Sequence, residues 1–178
     1  GVVPAKDSAK ILPSMPFKIT KNYLLKNDLA VYDIIAANNW QRPIYFTSPT
    51  DLGLNDYLQT DGLTYHLVPL PKQTSTDPLG MDVNANVGVM HDNLMHKFEF
   101  GGAQTRGTYF DEPNRKMIMY LRQAFTKLSV AMTEDGMSKD SALNVLRYMD
   151  KNIMETNFPY AMTMPGNMHN YTSIQTIY

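Results

Sequence analysis

Apolar positions along this chain change period sharply within one stretch, Asp33–Ser48. Up to about Asn38 they keep helical spacing, with Val31, Ile34 and Ile35 on one face. Beyond it, Ile44-Tyr45-Phe46 is a β-branched and aromatic run, which predicts a strand at 43–47. Asn38-Asn39 suits the left-handed end of a helix, and Arg42, preceding Pro43, is biased toward extended geometry. The stretch therefore reads helix, tight corner, strand. Trp40, the only tryptophan, is expected to be the apolar wedge that fixes the corner.

The flanking pattern extends this reading. Residues 1–16 carry Pro4, Pro13 and Pro16 and read as an extended surface linker. Phe17–Thr20 alternates, as a short edge strand does. Asn27 is the expected N-cap of the first helix, with Asp28 at its positive end. Thr50 or Asp51 caps a second short helix carrying Leu54, Tyr57 and Leu58 on one face, and Gly62 ends it. Leu63–Val68 alternates and predicts another strand, so strand, crossover and strand form a short parallel unit. Pro69–Gly80 reads as a loop. Val87, Met90, Leu94 and Phe98 then mark an amphipathic helix, followed by a flexible loop through Gly107.

From Asp111 the pattern becomes purely helical. Asp111 caps a helix with Pro113 in its first turn and a stripe of Ile118, Leu121, Phe125, Leu128 and Met132. Gly136 stops it. Ser138 caps the next, with Ala142, Val145, Leu146, Met149 and Ile153 inward, and a third helix begins near His169. The expected fold class is α+β: a 1–16 linker, a mixed αβ domain over 17–107, and an antiparallel helical hairpin portion over 108–178. The last has the layout of the start of a tetratricopeptide-like array.

Composition narrows the function classes. The net charge is −1 over 178 residues, with no five-residue run of like charge, which argues against nucleic acid as a partner. Cysteine is absent, so disulfides, thiolate metal sites and cysteine catalysis are excluded. No apolar run is long enough to span a bilayer. The chain opens on Gly1 and closes on what reads as the first turns of a helix, so a fragment of a longer protein is expected.

Candidate chemistry is sparse. His91 and His96 are five apart, about 140° around an α-helix, whereas chelating histidines sit four apart, so a polar surface role is favoured. His66 lies mid-strand and reads as a hydrogen-bonded structural histidine. Asp51, Asp56 and Asp61 read as capping and solubilising residues. No nucleophile elbow, phosphate loop or dinucleotide fingerprint occurs, and no cofactor, metal ligand or catalytic residue is assigned. The thirteen methionines and eleven tyrosines read first as core filling, second as an adaptable binding surface. Binding candidates are Trp40, Arg42, Tyr45, Tyr57, Tyr65 and His66. Arg42 is expected to pair with Asp33 or Asp28, ahead of stacking on Trp40.

The words Asn38-Asn39-Trp40-x-Arg42-Pro43-Ile44-Tyr45-Phe46 form a distinctive string. So do Gly62-Leu63-x-Tyr65-x-Leu67-Val68-Pro69 and His91-Asp92-Asn93-Leu94-Met95-x-Lys97-Phe98. Over most of residues 17–160 the chain resembles the soluble C-terminal region of large bacterial multi-pass membrane proteins. These carry a domain of unknown function and are labelled protein O-mannosyltransferase-like; at His91 they more often carry Tyr. The resemblance implies a soluble extracytoplasmic (periplasmic) unit attached through a parent membrane domain, which would hold the acidic catalytic residues. The expected function is a non-catalytic accessory domain of a membrane glycosyltransferase-like protein, positioning a polypeptide or glycan acceptor or binding partners. Two other readings stand beside it. One is a stand-alone helical-repeat-type interaction module; the other is a small hydrolase or sugar-binding domain with Asp56, His66 and Trp40 in a pocket.

Overall fold

In the computed structural model, residues 2–3, 5–73 and 84–160 are described. Their order is α1 (Lys26–Asn38), β1 (Tyr45–Phe46), β2 (Leu58–Thr60), β3 (Tyr65–Leu67), α2 (Val87–Asp92), α3 (Glu112–Glu134) and α4 (Lys139–Asn152). The class is α+β. The chain divides into two compact units, Gly1–Gln73 and Thr74–Tyr178, rather than at the 107/108 border expected from patterning. The border falls earlier because Val87, Met90 and Leu94 pack into the same core as α3 and α4.

In the first unit, α1 starts at Lys26, one residue before the expected cap. Its third residue, Asp28, reaches back to accept the Leu25 backbone N–H at 2.9 Å. That satisfies one of the donors a helix start leaves open. Val31, Tyr32 and Ile35 face the small core of Leu52, Leu54, Tyr57, Leu58 and Leu67, whereas Ile34, expected on the same face, points outward at 60 % exposure.

The sheet has the order β1-β3-β2 and is antiparallel throughout, which corrects the parallel reading. The correction follows from the segment between the strands. Gly53 has φ +77°, and a Cβ there would lie 2.4 Å from the Lys18 carbonyl oxygen. This left-handed residue breaks the expected second helix to a single 3-10 turn, Asn55–Tyr57. Leu58–Thr60 is thereby free to pair with β3, and residues 61–64 are too short for a crossover.

The amino-terminal stretch is tied to the small core. Leu12 N donates to the Pro69 carbonyl at 2.9 Å, and the Tyr57 hydroxyl donates to the Pro16 carbonyl at 2.6 Å. Leu12 and Met15 pack on the small core. Phe17–Thr20 is not a strand; Phe17 instead stacks on Tyr32, ring centroids 5.4 Å apart.

In the second unit, the Asp111 and Ser138 caps form as expected, accepting from Asn114 N and Ser141 N. Gly136 takes φ +77° and closes α3 with the bond from Met137 N to the Met132 carbonyl. Every residue of both expected apolar stripes is buried. Yet α3 also buries Met119, Arg122, Thr126, Ser129 and Val130, because α2 packs on it as well as α4. The predicted helix through Phe98 is α only to Asp92. Asn93–Lys97 widens to a π turn, closed by Phe98 N donating to the Asn93 carbonyl at 2.9 Å. The glycine loop before α3, expected to be flexible, is stitched by buried Asn157. Its amide donates to the carbonyls of Ala103 (3.1 Å) and Thr105 (2.8 Å), and its oxygen accepts from Gly107 N (3.1 Å). The helix expected near His169 lies outside the described residues.

Candidate functional site

The corner after α1 is built by a side chain other than the one expected. Asn39 and Trp40 both adopt left-handed backbone, φ 44° and 58°. Asn38 holds the turn: its amide donates to the Arg42 carbonyl at 2.6 Å, and its oxygen accepts from Arg42 N at 3.2 Å. Trp40 is 38 % exposed, so it is a surface feature of the corner and not a buried wedge. Asp28, one expected partner of Arg42, is instead bound by Lys21 at 3.2 Å, which also reaches Asp51 at 2.9 Å.

The corner delivers Tyr45 into β1, where its cross-strand partner on β3 is His66. Their rings stack with centroids 4.5 Å apart and 20° between planes. Strand register makes this contact, since directly opposed side chains of an antiparallel pair lie within reach. Asp61, in the β2–β3 turn, lies beneath both. Its Oδ2 is 3.3 Å from His66 Nδ1 and accepts from the Tyr45 hydroxyl at 3.4 Å. Asp61 and His66 are 5 % and 6 % exposed, while half of Tyr45 remains open to solvent. Burial pushes the Tyr45 phenol above its ordinary pKa, and the Asp61 charge and hydrogen bond add to the shift. His66 Nε2 is buried with no hydrogen-bond partner among the described residues.

Of the six sequence candidates, the structure thus brings Tyr45 and His66 together. Tyr65 pairs with Phe46 and Thr60 in the register and packs on the small core; Tyr57 is core with its hydroxyl on Pro16. Trp40 and Arg42 stay at the corner. A shallow groove of about 520 Å³ lies where Phe17 and Lys18 cross Gly53. Asp56 lines it; His66 and Trp40 do not.

Three residues escaped the sequence reading. Asp61 reads in the sequence as a capping and solubilising residue. Arg122 is fully buried on α3, donating to the carbonyls of Phe158 (2.9 Å) and Ile153 (3.3 Å), with the Tyr160 ring 4.5 Å from its guanidinium carbon. Its signal was a lone arginine adjoining the apolar stripe. Asn157 carried no local signal.

On the second unit, His91 and His96 lie edge to face, ring centroids 5.9 Å apart. The π turn brings them together, against the 140° separation expected from α geometry. Among the described residues no three His, Cys, Asp or Glu groups are arranged to hold a metal ion, and no helix is long and apolar enough to cross a membrane.

Residues 1–87 match the TMEM260-associated domain 2. The match covers the whole first unit and ends at the start of α2. It is a domain of unknown function, consistent with one domain of a larger protein. No curated protein and no solved structure matches the chain.

Proposed function

We propose that this chain is an accessory, non-catalytic part of a larger membrane glycosyltransferase-like protein, standing on its extracytoplasmic side. It docks there and positions a polypeptide or glycan acceptor. The observation that carries this reading is the inverted character of α1. Its one fully buried side chain is Asp28, while Leu29 and Ile34 are 49 % and 60 % exposed, and Tyr23 and Leu25 beside it are also open. Leu25 and Leu29, four apart and joined by the Leu29 N–H to Leu25 carbonyl bond, share one side of the helix start, and neighbouring exposed apolar side chains mark interaction surfaces. The polar groups of the neighbouring sheet, by contrast, are turned toward one another. The description of the matched family as an associated domain supports a role beside another domain.

The test has two arms. The chain alone, offered a lipid-linked sugar and an acceptor peptide, is expected to transfer nothing; transfer would refute the non-catalytic reading. Co-expressed with the membrane region of the same reading frame, the chain is expected to co-purify. Leu25→Glu with Leu29→Glu should abolish that without changing the circular dichroism. Undiminished co-purification would remove α1 as the docking face.

A further inference from the structure

We propose that His91 and His96 form a two-imidazole chelate for a divalent transition-metal ion, created by the π turn at the end of α2. On an α-helix, residues five apart diverge by about 140°, and chelating pairs need a spacing of four. Here the helix widens at Asn93–Lys97, where the i→i+5 bond from Phe98 N to Asn93 O takes in one extra residue. The widened turn sets His96 beside His91, with ring centroids 5.9 Å apart and planes 67° apart. Two imidazoles at that separation can each turn one nitrogen toward a shared ion about 2 Å from both. His91 is half-buried and His96 exposed, so the pair is reachable from solvent.

The chelate rests on the two imidazoles alone, because the Asp92 carboxylate between them in sequence is already paired with Lys97 at 2.6 Å across the same turn. Met90 and Leu94 are fully buried beneath it, which fixes the backbone carrying both histidines. The donors are two nitrogens with no thiolate, which selects ions that favour imidazole: zinc, copper(II) or nickel(II), not calcium or magnesium. With two ligands from this chain, the remaining positions are open to water or to an acceptor group from another molecule.

The experiment titrates copper(II) alone into the whole chain near neutral pH. It reads affinity by competition with a chelator and nitrogen coordination by electron paramagnetic resonance. One tight equivalent with a two-nitrogen signature is expected. His91→Ala and His96→Ala should each weaken binding by at least about tenfold and reduce the signature to one nitrogen. Because His96 is exposed, His96→Ala keeps the fold, checked by circular dichroism. Binding that survives either single substitution unchanged would overturn the chelate, as would an unaltered nitrogen signature.

Discussion

Asn38 grips the backbone of Arg42 from both sides, donating to its carbonyl at 2.6 Å and accepting from its N–H at 3.2 Å. The corner between α1 and β1 therefore rests on an amide clamp and not on aromatic packing. Asn38→Ala should lower the stability of the first unit by roughly 1–2 kcal/mol, two exposed hydrogen bonds at modest net worth each. Trp40→Gly should exceed Trp40→Ala by about 1 kcal/mol, since the left-handed backbone at φ 58° penalises any Cβ. Urea midpoints followed by circular dichroism decide both. A Trp40→Ala loss larger than that of Asn38→Ala would restore the wedge.

The stacked pair of Tyr45 and His66 makes a spectroscopic prediction. The Tyr45 phenol is raised by burial first and by Asp61 second. In phenolate absorbance titrations, a difference between wild type and Tyr45→Phe should isolate a tyrosine ionising above the ordinary range. Asp61→Asn should move it back down. Because its folded pKa is raised, its contribution to stability is complete below the ordinary tyrosine value. That contribution is lost as pH rises through the folded value. A Tyr45 titration unchanged by Asp61→Asn would exclude the charge contact.

Acid should loosen the first unit through Asp28. The Leu25 N–H bond, opposed by burial and aided by Lys21, holds its carboxyl below the ordinary value. A depressed carboxyl contributes stability above its unfolded pKa and loses it as pH falls through the folded one. Denaturant midpoints measured from neutral pH down to about 3 should therefore decline in wild type. The decline should be shallower in Asp28→Asn. Parallel curves for the two proteins would assign the acid sensitivity elsewhere.

Arg122 is a costly side chain to remove. Arg122→Met leaves the carbonyls of Ile153 and Phe158 without their donor in a dry site, for a loss of roughly 2–4 kcal/mol. Arg122→Lys should rescue little, because an ammonium cannot serve both carbonyls and the Tyr160 face with one planar group. Guanidinium unfolding of the helical unit measures this; a loss under about 1 kcal/mol would show that the carbonyls find other donors.

The helical unit was legible because its signals are local. Caps at Asp111 and Ser138, the stop at Gly136 and two long stripes all act within a few residues of where they are written. The sheet was less legible because its strands are two or three residues long and β2 is buried along its whole length, so alternation never develops. The helix expected before β2 failed for a non-local reason: the Lys18 carbonyl lies over Gly53. The candidate site shows the same division. Tyr45 and His66 were singled out by residue type, but their stacking depends on register. Asp61 joins them only once the β2–β3 turn exists. The histidine pair on the second unit meets through a π turn, which has no plain sequence mark.

The middle strand of the sheet, β3, is the last of the three along the chain, and Pro69 just beyond it carries the bond to Leu12. During synthesis, α1 and β1 therefore leave the ribosome with nothing to pair against. The Leu12, Met15 and Pro16 strap must wait as well. The first unit closes only when residues near 70 emerge, all at once, around a strand that arrives last. Until then the exposed aromatics of β1 are an open edge, and the interval in which it can pair wrongly is set by translation speed rather than by the strength of any bond in the finished fold.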